Sequence, residues 1–223
     1  MENIPPRKVW KRMEKNTKHL KLFTIIAAIA VLITGSLAHF VYGWTGKNHI
    51  VGFFTPVSES VWEHMKLLFF PMLICSLFMV LRFRAEYPCI VSAFSFGTLS
   101  GTWLIPAFYY AYTSVLGKNS FVLDIGTFIL SVLIAFLLSY RLTLSCRLKP
   151  YTFLLCALMC ILFTCFVLFT YQPPEHQIFQ DPTQQQSNGI SAASDIAKHE
   201  TWAQETEKTL VLQRQIRVGI RKS

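Results

Sequence analysis

The sequence predicts an all-α integral membrane protein, a bundle of about five transmembrane helices with short loops and a polar C-terminal tail. Three observations predict it. Of 223 residues, 52% are hydrophobic and only 15% are charged, against roughly 25% charged in a soluble domain. Apolar runs recur at lengths close to the ~20 residues that cross hydrocarbon. Aromatic residues gather at the run ends (Tyr42, Trp44, Tyr87, Tyr109, Tyr110, Tyr112, Tyr140, Tyr151, Tyr171), where amphipathic rings suit the headgroup level.

Residues 1–21 form a basic N-terminus, and residues 22–171 hold the membrane domain. Its first run, 22–42, is longer than the ~7–15 residues of a signal h-region and lacks a convincing small-residue cleavage site, so it reads as a retained helix. The second is expected over 55–81. Its apolar part, Leu67 to Leu81, is too short alone, but Thr55 before Pro56 resembles an N-cap with proline at N1, and Ser60 with Glu63 matches a capping box slightly later. Pro71 predicts a kink near Leu67. The third run, 87–112, places Ala93, Gly97 and Gly101 at intervals of four on one helical face, which favours close packing. Gly117 to Ser120 supplies the turn before the fourth run, 121–140, and the fifth is 151–171. Residues 172–223 read as a tail. It opens as loop, with a weak helical pattern from Asp195 to Thr209 and a strand-like alternation at Ile216, Val218 and Ile220.

Seven of the 21 basic residues lie between Arg7 and Lys21. Arg82 and Arg84 follow the second run, and Arg141, Arg147 and Lys149 the fourth, whereas the other loops carry only Lys47, Lys66 and Lys118. The positive-inside rule then puts the N-terminus in the cytoplasm, and the 43–66 segment and the C-terminus outside, in a multi-pass protein of the cell membrane. The net charge of +9 is accordingly a topology signal rather than a nucleic-acid footprint, and the N-terminal cluster suits anionic lipid headgroups as well as the bilayer itself. The six cysteines show neither CxxC spacing nor flanking histidines, so neither a disulfide nor a zinc framework is expected. Cys156 and Cys160, four apart, read as small buried hydrophobes.

Candidate chemistry concentrates between His39 and His64, HFVYGWTGKNHIVGFFTPVSESVWEH. With a helix from Thr55, Glu59 and Glu63 share a face, and Ser60 and His64 form a second pair beside them, with Trp62 anchoring the interface between. Two carboxylates at that spacing repel unless a cation, a proton or donors intervene. With His39 as a further contributor, the set His39, Glu59, Glu63 and His64 is the candidate divalent-metal site. The alternative is a solvated helix start, with Glu63 completing its capping box. Asp124, near the start of the fourth run, is expected to meet Lys118 or His64, or to serve as an ordinary helix-start acid. HExxH, GxSxG, P-loop and kinase signatures are lacking, and no cofactor motif is complete.

The residues His39, Phe40, Tyr42, Trp44, Gly46, Asn48, Ile50 to Gly52, Phe54, Pro56, Val57, Glu59 to Lys66 and Leu67 to Pro71 resemble a block found in an uncharacterised family of small multi-pass membrane proteins from Gram-positive bacteria, a domain of unknown function. A weaker likeness lies at Pro173, Pro174, Phe179, Asp181, Pro182 and Gly189. The resemblance covers Leu22 to Ile190 and departs at Ser58, where the family has Asn, and at His49, where it has Pro. It implies the architecture and the site's location but no reaction. The expected function is non-enzymatic, a small transporter or an accessory or recognition subunit with a polar site at the outer ends of helices 1 and 2. The competing expectation is a membrane-embedded, metal-dependent hydrolase of a lipid or peptide. Self-association through the Ala93, Gly97 and Gly101 face is a third possibility, with intramolecular packing as its alternative.

Overall fold

In the computed structural model, residues 7–181 and Trp202 are described, with side chains from Asn16 onward. Helix α1 (Arg7–Trp44) carries the basic segment without a break into the first apolar run. It ends in a turn where Gly46 has φ +66, a conformation that costs glycine nothing for want of a Cβ. Next comes α2 (His49–Gly52), capped by the Asn48 side chain, which accepts the Ile50 N–H at 2.9 Å. Helix α3 (Val61–Phe83) starts at Ser60, whose Oγ accepts the Glu63 N–H at 3.3 Å.

The expected helix start at Thr55 is therefore corrected. The Thr55 hydroxyl bonds back to the Val51 carbonyl at 2.9 Å and finishes the α2 turn, and residues 55–60 form a loop. Helix α4 (Ile90–Leu116) passes through Pro106 and stops at Gly117, which is left-handed and returns its N–H to the Thr113 carbonyl. Helix α5 (Phe121–Ser145), a 3-10 turn at Lys149–Tyr151, α6 (Thr152–Phe169) and a second 3-10 turn at Gln177–Phe179 complete the order.

Five of these helices have apolar spans of 29, 23, 27, 25 and 21 residues, each about 30 Å or longer at ~1.5 Å per residue and so long enough to cross a bilayer. Helix α4 is central, packed on α5, α3 and α6, while α1 lies against α3 and α5. The lipid-type face of α1 shows Ile26, Ile29, Ile33, Leu37 and Phe40, and its inner face buries Leu20, Ala27, Ala28 and Val31. The chain divides into two compact units, Met1–Gln180 and Asp181–Ser223. The helix and strand patterns expected at 195–209 and 216–220 lie outside the described residues.

Small residues let the central helices touch. A Cβ at Gly97 would meet Ser139 Oγ and, at 2.7 Å, the Ala135 carbonyl, and one at Gly101 would meet the Ala135 Cβ at 2.6 Å. Ala93 is fully buried on the same helix. The small-residue face is thus filled by α5 of the same chain. Buried hydroxyls at Thr24, Thr98, Thr102, Ser139 and Thr143 each bond a carbonyl one turn earlier, which satisfies them where water is scarce.

The absence of a disulfide expected from cysteine spacing is also corrected: Cys89 and Cys146 are bonded, their Cα atoms 5.3 Å apart. Antiparallel packing brings the start of α4 beside the end of α5 across a separation of 57 residues, which no local spacing rule registers. Cys75, Cys156, Cys160 and Cys165 are free thiols.

Candidate functional site

The end of α1, the 45–60 connection, the start of α3 and the end of α6 converge at one end of the bundle. Two carboxylates reach it, and the structure separates them. Because α3 begins only at Val61, Glu59 belongs to the loop and not to the helical face of Glu63. That removes the shared face on which the pair was expected to repel.

Glu63 turns inward. Its Oε2 accepts from the Lys66 ammonium at 2.7 Å and from the Val57 N–H at 3.0 Å. Lys66, counted among the basic residues of the outer segment, is fully buried within α3. Its three donors reach Glu63, the Thr170 hydroxyl at 2.8 Å and the Gly52 carbonyl at 3.2 Å, and three is all an ammonium has. Thr170, at the C-cap of α6, donates its own hydroxyl hydrogen bond to the Phe166 carbonyl at 2.5 Å. One buried ion pair therefore ties together α2, the 53–60 loop, α3 and the end of α6. The Tyr171 hydroxyl adds a bond to the His49 carbonyl at 2.8 Å, and its phenol is pushed up by burial, Tyr42 and Glu63.

Glu59 turns the other way. Its Oε1 lies 3.7 Å from His39 Nε2 and its Oε2 lies 3.4 Å from His64 Nε2. The two imidazole rings stand 5.4 Å apart. One ligand atom from each of the three residues can be chosen so that all lie within 4.8 Å of one another. The glutamate side chain is half exposed and the histidines about a quarter, so the trio opens at the bundle's end.

His64 Nδ1 lies 2.9 Å from the Ser60 carbonyl. A carbonyl only accepts, so Nδ1 carries the proton, and in neutral imidazole the Nε2 lone pair then faces the Glu59 carboxylate. A metal ion placed between the Nε2 lone pair and the carboxylate would be ligated by both. Zinc bonds of ~2.0–2.2 Å in tetrahedral geometry set ligand atoms about 3.4 Å apart, the separation of His64 Nε2 from Glu59 Oε2, while His39 faces the other oxygen at 3.7 Å. A backbone carbonyl orienting the far nitrogen of a histidine is the usual outer support of a metal ligand.

The other expected site residues fall elsewhere. Ser60 caps α3 and accepts from Ser58 at 3.2 Å. Asp124 accepts the Tyr112 hydroxyl, with no ion pair to His64 or Lys118 among the described residues. Trp62, expected at the interface, is buried against Phe166 at 4.8 Å and Phe179 at 4.9 Å. Phe179, from the weaker C-terminal block, thus packs on the tryptophan of the main block. Lys66 and Thr170 were missed as site residues. A lone lysine entering an apolar run three residues after a glutamate was the available signal for the first, and none existed for the second.

A five-span helical bundle with a polar, partly buried cluster at one end is an integral membrane protein. The chain belongs to a family described as a family of unknown function (DUF6512), whose sequence profile spans residues 10–190. No curated protein and no solved structure matches the chain.

Proposed function

We propose that this chain is a metal-binding recognition protein of the membrane, holding a divalent transition ion, zinc foremost, between His39, Glu59 and His64. The observation that carries it is the cluster itself, one ligand atom of each of His39, Glu59 and His64 lying within 4.8 Å of the others, with His64 Nδ1 engaged by the Ser60 carbonyl. Two imidazoles and one carboxylate suit zinc and its neighbours. The distribution of basic residues supports placing this end outside and the N-terminus in the cytoplasm, against anionic headgroups.

A recognition role fits better than conduction, because the fully buried Lys66 ammonium lies in the first turns of α3, beneath the loop that carries Glu59. A cation moving inward there would meet a fixed positive charge. Hydrolysis is the second reading, favoured by the three-ligand set, which leaves a coordination position open as catalytic zinc sites do. Against it, the nearby carboxylate that would serve as base, Glu63, is engaged by Lys66 and Val57.

Elemental analysis of detergent-purified, folded protein after zinc loading and desalting tests the site. About one zinc per chain in wild type, lost in His64→Ala and in Glu59→Gln, is expected. No retained zinc in well-folded wild type would overturn the proposal. Zinc-dependent turnover of a lipid or peptide, lost in the same variants, would move the assignment from recognition to hydrolysis.

A further inference from the structure

The opposite end of the bundle carries its own chemistry. Cys89 immediately precedes α4, a helix of 27 residues, and is almost completely buried. Cys146 caps α5, is exposed, and holds a left-handed φ of +57. The two cysteines of the disulfide are therefore unequal in exposure and in electrostatic setting. Exposed basic residues flank both, with Arg84 on the α3–α4 connection and Arg141, Arg147 and Lys149 around Cys146.

We propose that Cys89 and Cys146 form a reversible thiol–disulfide exchange site, opened by attack of small anionic thiols of the glutathione class on Cys146. Access selects the sulfur that is attacked. The leaving group is selected by the position of Cys89 at the start of α4, where the helix dipole favours a thiolate. The basic residues draw a carboxylate-bearing thiol to this face.

The exchange balances in two steps. An external thiolate bonds to Cys146 Sγ, the protein disulfide breaks, and its electron pair leaves on Cys89 sulfur, which takes up a proton. A second external thiolate then attacks the external sulfur of the mixed disulfide, releasing the Cys146 thiolate and a small-molecule disulfide. Two small thiols are oxidised and one protein disulfide is reduced, and the reverse sequence restores the bond. Reduction releases the start of α4 from the end of α5 while their packed interface remains. The chemistry stands on this geometry alone. Its compartment follows from the orientation proposed above, which puts this end in the cytoplasm, where disulfides are typically transient rather than structural.

The test uses full-length protein in membranes equilibrated with buffers of graded oxidised-to-reduced glutathione ratio, then acid-quenched, differentially alkylated and read by peptide mass spectrometry. The Cys89–Cys146 linkage in wild type is expected to pass from nearly absent to nearly complete within the series. Oxidised glutathione is expected to modify Cys146 in Cys89→Ser about tenfold faster than Cys89 in Cys146→Ser. A pair that stays linked, or stays unlinked, throughout the series overturns the proposal using wild type alone. Equal modification of the two cysteines in folded variants overturns the assigned order of attack.

Discussion

Glu59 and Glu63 stand four residues apart at one end of the bundle, yet they occupy opposite electrostatic worlds. Glu63 is sealed with Lys66, every ammonium donor is used, and the pair fastens four segments of chain. Glu59 is half exposed and faces two imidazoles. The difference teaches that burial with complete hydrogen bonding commits a carboxylate to architecture, whereas a half-exposed carboxylate beside two imidazoles is the one on which the proposed metal site is built. The step from one to the other is the α3 N-cap at Ser60, which sets Glu59 outside the helix and Glu63 inside it.

Breaking the sealed side should have the largest effect. Lys66→Met strands the Glu63 carboxylate in the interior and is expected to cost about 3–5 kcal/mol, read as a large loss of monodisperse protein and a lower melting temperature in detergent. Combining it with Glu63→Gln should recover much of that loss, since removing both charges costs far less than orphaning one. Failure of the double variant to recover would mean that the ammonium's bonds to Thr170 and Gly52, not the charge pair, dominate. Phe179→Ala uncovers Trp62. It removes a ring that is only partly buried, so a smaller cost of about 1–2 kcal/mol is expected in the same melting assay.

Much of this contrast was legible in the sequence and part of it was not. The five spans announced themselves by length and hydropathy, and the block from His39 to Lys66 by its density of polar and aromatic residues. The error lay in the start of α3. Thr55 with Pro56 and Ser60 with Glu63 are both respectable caps, and local rules do not rank them. The choice fell to Ser60 in a structure where the Thr55 hydroxyl closes α2 and the Glu63 carboxylate holds the Val57 N–H. Thr170 lies 104 residues from Lys66, and Cys89 lies 57 from Cys146. Such contacts follow from helix packing, which periodicity within one segment does not encode.

Ser60→Ala sharpens the comparison because Ser60 serves both sides. Loss of the cap should cost about 1 kcal/mol, while the Ser60 carbonyl that orients His64 is retained. Melting temperature should therefore fall modestly, with zinc still bound. Smallest of all should be the stability effect of Glu59→Gln, within about 0.5 kcal/mol for a half-exposed side chain. A large drop in its melting temperature without metal would place Glu59 among the architectural residues.

Zinc titration of detergent-purified Glu59→Gln beside the Glu63→Gln/Lys66→Gln double variant, each checked for a folded, monodisperse bundle, tests the division most directly. The account predicts that the double variant retains about one zinc per chain and that Glu59→Gln retains none. Zinc held by Glu59→Gln but lost from the folded double variant would contradict it, making the buried carboxylate the ligand and the exposed one a bystander.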